Sequence, residues 1–219
     1  MLQKSTLDFL KNLAKNNHKE WFDNNRSLYE AAKKDIAQFT EQLIKEIAQF
    51  DSSVAHLTSK DCTFRINRDV RFSKNKEPYK INMGTYISAG GKKSMLAGYY
   101  VHIQPNSATF IAGGMYMPDA TLLNNIRQEI DYNTEEFKGI INSKSFKKTF
   151  GTLQGEKLKT APKGYEKDHP EIELLKHKSY IVSKPLSDDE LYNKNLVKII
   201  AQSFKELYPL NQFLNRVVA

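Results

Sequence analysis

The sequence has one cysteine and no long hydrophobic run. With only Cys62, the 219-residue chain cannot form an internal disulfide, so a reducing cytoplasm is its expected location. No stretch reaches the roughly 20 apolar residues that a membrane-spanning helix needs. The amino-terminal segment is too short and too amphipathic for an export signal. We therefore expect a cytoplasmic protein with no membrane partner.

Signatures of metal and nucleotide binding are missing as well. The sequence has no H-E-x-x-H, no paired cysteines and no carboxylate cluster at ligand spacing. The run from Gly90 to Ser94 resembles a phosphate loop in composition, but it lacks the required spacing, and a strand is predicted after it. We therefore predict no metal and no cofactor.

Positive charge is concentrated in the middle of the chain. The formal net charge is +8, and residues 61–115 supply +5 of it, with eight basic and three acidic side chains. A protein that coats nucleic acid more often spreads its lysines over a face or a tail. The clustering therefore favours a local anionic ligand over a long polyanion.

The segment from Thr63 to Asn82 reads TFRINRDVRFSKNKEPYKIN and combines basic with apolar residues. Its basic residues are Arg65, Arg68, Arg71, Lys74, Lys76 and Lys80. Apolar residues are threaded through it, among them Phe64, Ile66, Val70, Phe72 and Tyr79. Because such a segment must pack, its arginines are held in place and can bind an anion through two hydrogen bonds each. Asp69 would either pair with Arg68 or Arg71 or orient a catalytic group.

The hydrophobic pattern predicts helices at both ends of the chain and strands between them. A first helix begins near Ser5, a second holds Trp21 and Phe22, and a long third one runs from about Ser27 to Phe50. Runs typical of strands follow at Cys62–Asn67, Met83–Ser88, Gly98–Gln104, Ala108–Gly113 and Lys178–Val182. Helices return after Pro118. The last ones are expected at Asn193–Tyr208 and around Phe213.

This order predicts an α+β fold with a single domain over residues 1–219 and a central, mainly antiparallel sheet packed by the N- and C-terminal helices. Side chains alternate between the two faces of a strand. The residues expected to face the helices are Phe64, Ile66, Val101 and Ile103. The residues expected on the opposite face are Arg65, Tyr100, His102 and Lys178.

Several motifs indicate a known family. They are FRINRDVRFSKNKEPYK, GYYVHIQP, GGMYMP, LKTAPKGYEKDHPEIELLK and SKPLSDDEL. Together they resemble a bacterial and fungal family of conserved hypothetical proteins, domain of unknown function number 2461, over Thr6 to Asn215. Asn75 and Gln104 stand where this family commonly has aspartate and glutamate. The resemblance implies no activity and assigns no catalytic residue.

A sheet face with arginine, tyrosine and histidine is either an ordinary solvated surface or a polar pocket. Its aromatic content favours the pocket. The 68–80 loop favours it as well, because a packed loop must cover part of the surface beneath it. The predicted ligand-binding residues are Arg65, Arg68, Arg71, Lys80, Tyr100 and His102. His102 is also the candidate acid–base catalyst, because nearby arginines would lower its pKa and keep it neutral. The alternative is that His102 is a structural residue.

Three functions fit this cluster. The leading hypothesis is a cytoplasmic protein that binds a small phosphorylated or carboxylated ligand through its basic residues, either as an enzyme or as a binding protein without a reaction. The second is a nucleic-acid-binding module, in which Phe72, Tyr79, Tyr99 or Tyr100 stacks on bases. The third is a non-catalytic interaction module, whose arginines dock an acidic partner.

Overall fold

A computed structural model describes residues 1–218. This range contains four strands, β1 Met83–Ile87, β2 Gly98–Ile103, β3 Thr109–Met115 and β4 Tyr180–Leu186. Its helices are α1 Lys4–Lys15, α2 Lys19–Asn24, α3 Arg26–Ile47, α4 Ser59–Cys62, α5 Ala120–Tyr132, α6 Thr134–Ile141, α7 Lys144–Phe150, α8 Ile172–Leu175 and α9 Leu196–Asn215. The strands form one antiparallel sheet in the order β1-β2-β3-β4. The predicted α+β fold is confirmed. Of the helices in residues 1–218, none has the length and apolar character needed to cross a membrane.

The long helix α3 joins the amino-terminal helices to the sheet. Its apolar stripe is buried, as expected for residues that recur every three or four positions. The side chain of Asp35 accepts hydrogen bonds from the Thr6 hydroxyl at 2.6 Å and from the Gln3 backbone at 2.9 Å, which fixes α1 against α3. On the sheet side, the buried hydroxyls of Thr40 and Thr85 lie 3.1 Å apart. These bonds satisfy polar groups that burial would otherwise destabilise.

The sheet has one face covered by helices and one open face. Opposed residues in an antiparallel sheet point to the same side, so the pairs Thr85–Val101 and Val101–Ile111 define the covered face. Val101, Ile103 and Ile111 are buried there, as predicted for the first two. Tyr100 and His102 point to the open face, which is also confirmed.

Helix α9 covers the inner face of β3, and a glycine permits the close approach. A Cβ atom on Gly113 would lie 2.0 Å from the Leu207 side chain and 2.6 Å from the Gly98 carbonyl oxygen. The prediction of two helices at this end was wrong, because α9 continues through Pro209. Buried apolar residues on both sides of Pro209 offset the missing backbone hydrogen bond.

The predicted strand at Cys62–Asn67 was wrong. Cys62 ends α4, and Thr63 and Asn67 form only isolated bridges, to Thr85 and Tyr79. The segment changes partners along its length, since the Phe64 amide bonds to the Gly84 carbonyl and the Ile66 carbonyl accepts from Lys80. The side chains of this segment therefore do not alternate between two faces as they would in a regular strand. Ile66 is buried as predicted, but Phe64 is 40% exposed and lies on the open side.

The last strand was also predicted incompletely. Strand β4 begins at Tyr180 and continues past Pro185, which is tolerated because β4 is an edge strand. Tyr180 faces the helices and contacts Phe137 edge-on. Lys178 precedes the strand and pairs with Glu156 at 2.8 Å, so it is not part of the open sheet face.

The contact at Gly113 gives a stability prediction. Gly113→Ala should lower the free energy of unfolding by about 1–3 kcal/mol, because the added methyl overpacks the α9–β3 contact. That loss corresponds to about 2–12 °C in thermal unfolding.

Gly139→Ala is the matched control, because Gly139 lies in α6 and its added Cβ would have nothing within 4 Å beyond its chain neighbours and the backbone of its own helix. It should stabilise the protein by up to about 1 kcal/mol. Equal melting temperatures for the two variants would contradict the proposed contact.

Candidate functional site

A cleft lies over the open face of the sheet, and we call it the sheet-face cleft. Its volume is about 560 Å³. The aromatic residues that line it are Phe64, Tyr86, Tyr100, Phe110 and Tyr116. Ser94, Gln154 and Ser183 add polar groups to the lining. The cleft is therefore mainly aromatic and apolar with a few polar groups, the usual composition of a small-molecule site.

A second cleft, of about 850 Å³, lies between α3 and the segment that precedes β1. We call it the basic cleft. Its basic residues are Lys33, Lys34, Lys60, Arg65, Lys92 and Lys93. Within the described part of the chain, its lining includes one carboxylate, Glu30, which lies 3.3 Å from the Lys33 ammonium. The cleft therefore carries a strong positive charge.

Four parts of the chain bring these basic residues together. Helix α3 supplies the two lysines nearest Glu30, α4 supplies Lys60, the segment after α4 supplies Arg65, and a 3-10 turn after β1 supplies Lys92 and Lys93. The Lys92 ammonium donates to the Lys60 carbonyl, which ties the turn to α4. The amide of Ser59, at the start of α4, donates to the Glu41 carboxylate of α3 at 2.6 Å. The positions of the lysines thus depend on contacts between distant segments.

The two clefts meet at Phe64, which lines both. Gly84 lies at this border, and a Cβ atom on it would be 3.0 Å from the Tyr100 hydroxyl and 3.4 Å from the Phe64 ring. The absence of a side chain at position 84 therefore makes room for both rings. On the other side, the Lys80 ammonium lies 5.5 Å from the centre of the Phe64 ring, within cation–π distance.

His102 is part of a hydrogen-bonded chain along β2. Its Nδ1 accepts from the Tyr100 hydroxyl at 3.0 Å and from the Asn82 amide at 3.3 Å. Its Nε2 donates to the Gln104 side-chain oxygen at 3.0 Å, and its ring stacks on Phe110. Burial lowers the pKa of His102, so the ring is neutral at pH 7. The cause is burial rather than the predicted arginine neighbours.

Arg68 and Arg71 bond within their own loop. Arg71 makes two hydrogen bonds to Asp69, at 2.6 and 2.9 Å, and this pairing lowers the pKa of Asp69. Arg68 donates to the Glu77 carbonyl at 3.2 Å and to the Ser73 hydroxyl at 3.3 Å. The predicted pairing of Asp69 with an arginine is confirmed. Neither arginine is among the residues that line the two clefts.

Lys80 lies between the arginine loop and the clefts. Burial lowers its pKa, and the nearby charge of Arg65 lowers it further. A lysine in this position is stabilised in its charged form by an anion, because the anion offsets both effects. Within the predicted cluster, Lys80 and Arg65 are therefore close enough for the charge of Arg65 to lower the pKa of Lys80.

Residues 5–213 match the family model described as Conserved hypothetical protein (DUF2461). The chain belongs to this family. No curated protein and no solved structure matches it. The family match confirms the resemblance drawn from the motifs and adds no residue roles.

The structure divides the six predicted ligand-binding residues into three groups. Arg65 and Lys80 lie beside Phe64, Tyr100 and His102 lie on the open sheet face, and Arg68 with Arg71 forms the paired loop. The lysines of the basic cleft lie outside the predicted set of site residues: Lys33, Lys34, Lys60, Lys92 and Lys93. Their spacing gave no signal, because they come together only in the folded chain. Within residues 1–218, no group of three or more histidine, cysteine, aspartate or glutamate side chains could hold a metal ion.

The lowered pKa of His102 predicts acid sensitivity. Above about pH 6.5 the residue is neutral in both states, and below it the unfolded chain binds the proton first. The free energy of unfolding therefore falls as the pH drops from the unfolded pKa to the lower folded one.

His102→Gln should remove this contribution. Urea unfolding at about pH 7.5 and about pH 5.5 should show a smaller acid-induced loss in the variant than in the wild type. His177, whose pKa burial also lowers, is present in both proteins and cancels. An equal loss in both proteins would contradict the description of His102 as a buried neutral residue.

Proposed function

We propose that the protein binds a small phosphorylated or carboxylated ligand in the basic cleft. The observation that carries this proposal is the lining, six basic side chains against one carboxylate. Like charges at this density repel one another unless an anion lies among them. The volume of about 850 Å³ suits a small molecule.

Arg65 is the proposed anchor for the anion. Its guanidinium group can form two parallel hydrogen bonds to a phosphate or carboxylate, whereas a lysine acts as a point charge. Lys80 lies next to it and supplies further positive charge across the Phe64 ring. Arg68 and Arg71 have no direct role in this proposal, because Asp69 and Glu77 already neutralise them.

Tyr100 and His102 belong to the border of the site. The Tyr100 hydroxyl lies over Gly84, and His102 holds that hydroxyl through a hydrogen bond. Because both ring nitrogens of His102 are bonded to protein groups, we assign it a positioning role for Tyr100. The proposal is thus a binding function and includes no reaction.

The proposal places the protein in the cytoplasm, where phosphorylated and carboxylated small molecules are abundant. The free thiol of Cys62 fits a reducing compartment. Burial raises its pKa to about 12, which keeps it protonated and unreactive.

Nucleic-acid binding is the second candidate, and one observation favours it. The Phe72 side chain is 96% exposed, and the Arg71 guanidinium lies 5.9 Å from its ring centre. An exposed ring beside a cation can stack on a base. The loop that carries it, however, contains the paired Asp69 and Glu77.

Arg65→Gln should weaken the binding of inorganic pyrophosphate at least about tenfold, because one charge-assisted contact contributes roughly 1.5–3 kcal/mol. Lys74→Gln is the matched control, since it removes the same charge from an exposed residue outside the cleft lining. Its affinity should equal that of the wild type. Isothermal titration calorimetry on the folded proteins measures both.

Oligonucleotide titrations at two salt concentrations separate the two functions. A single strand held through four or more phosphates gives a salt slope of about −2.8 or steeper, whereas we expect only weak association of this kind. Tight oligonucleotide binding at physiological salt, lost in both variants and unaccompanied by pyrophosphate binding, would replace the small-ligand proposal with the nucleic-acid one.

A further inference from the structure

We propose that the anionic ligand is a nucleoside phosphate, with its phosphate in the basic cleft and its base in the sheet-face cleft. This inference rests on the proposed function and adds the chemical class of the ligand. Two adjoining clefts of different character carry it. One is aromatic and the other cationic, and a nucleotide has a matching part for each.

The sheet-face cleft offers rings on several sides. Tyr100 and Phe110 rise from adjacent strands, and their ring centres are 5.8 Å apart. Phe64 and Tyr86 complete this part of the lining. The Tyr86 hydroxyl donates to the Leu96 carbonyl at 2.6 Å, which holds the 94–96 loop at the edge of the cleft. A planar base can stack on such rings whatever its identity.

Polar groups at the edge of this cleft distinguish a heterocycle from a purely apolar ring. The hydroxyl of Ser183, on β4, donates to the Gln154 side-chain oxygen at 2.6 Å, which orients the Gln154 side-chain amide. The Gln154 backbone amide donates to the Ile181 carbonyl at 2.8 Å and fixes the position of the residue. Together with Ser94, these side chains provide donors and acceptors of the kind that bind the edges of bases.

The two clefts are close enough for one ligand to occupy both. Phe64 lines both of them, and the missing side chain at Gly84 lets the Tyr100 and Phe64 rings pack over the backbone at this border. The proposed ligand crosses the Phe64 ring, with its base toward Tyr100 and its phosphate toward Arg65. The ring of Phe64 also carries the Lys80 ammonium close to this border.

The charge of the basic cleft favours a phosphate over a carboxylate. A phosphate monoester carries about −1.5 to −2 charges at pH 7 and three acceptor oxygens. A carboxylate carries one charge and two oxygens. Six basic side chains exceed what one carboxylate needs.

The test compares ligands that share the phosphate and differ in the base. Calorimetric titrations of the full chain use AMP, UMP and ribose 5-phosphate. We expect at least one of the two nucleotides to bind about tenfold or more tightly than ribose 5-phosphate, because base–aromatic stacking adds affinity.

Ala112→Leu tests the location of the base. Ala112 lines the sheet-face cleft from β3 and is not part of the basic cleft, so leucine fills the space for the base and leaves the phosphate site intact. The nucleotide preference should disappear in this variant, with ribose 5-phosphate affinity within about twofold of the wild type. Phe110→Leu provides a second variant that removes a stacking ring without filling the cleft, and it should reduce the preference as well. Circular dichroism melts verify that both variants are folded.

The possible failures can be told apart. Equal affinities for AMP, UMP and ribose 5-phosphate would overturn the nucleoside phosphate and leave the anion-binding function standing. A nucleotide preference that persists in both folded variants would overturn the assignment of the base to the sheet-face cleft. No binding of ribose 5-phosphate, pyrophosphate or either nucleotide would overturn the proposed function and this inference with it.

Discussion

The close contact between α9 and β3 is the constraint on which the rest of the structure depends. Leu207 lies so near Gly113 that no side chain fits between helix and strand. This contact, together with α3 at Thr85, commits one face of the sheet to the hydrophobic core. The other face stays partly exposed, and its rings at Tyr100 and Phe110 line a cleft. An aromatic site next to a cationic one is therefore a consequence of one-sided packing.

Local periodicity predicted the elements that keep one pattern along their length. Val101 and Ile103 alternate with Tyr100 and His102 because the whole of β2 has one buried and one open face. The same alternation wrongly predicted a strand at the 63–67 segment, because the two ends of this segment bond to different partners. Pro209 marks a break by local rules, yet burial of the surrounding apolar residues keeps α9 continuous. At both the 63–67 segment and Pro209, tertiary contacts rather than the local sequence determine the secondary structure.

The arginine-rich segment predicted a concentration of positive charge, and the structure shows which of its residues line a cleft. Arg71 and Asp69 are close in sequence, so their pairing could be predicted. Because Asp69 neutralises Arg71, that arginine is not available to bind an anionic ligand. The lysines of α3, α4 and the turn after β1 are far apart in the chain. Their convergence follows from how α4 is held against α3 through Ser59 and Glu41, a contact that no local pattern encodes. The proposed anion site therefore lies at the Arg65 end of the predicted segment.

The most direct measurement is the position of a bound phosphate analogue. Tungstate mimics phosphate and gives a strong anomalous signal in X-ray diffraction. A crystal of the protein soaked with tungstate should show its main anomalous peak in the basic cleft, within about 4 Å of the Arg65 guanidinium, a distance typical of charged hydrogen bonds and close ion pairs. A main peak at Arg68 or Arg71, or no peak in the basic cleft at saturating tungstate, would contradict the assignment of this cleft as an anion site.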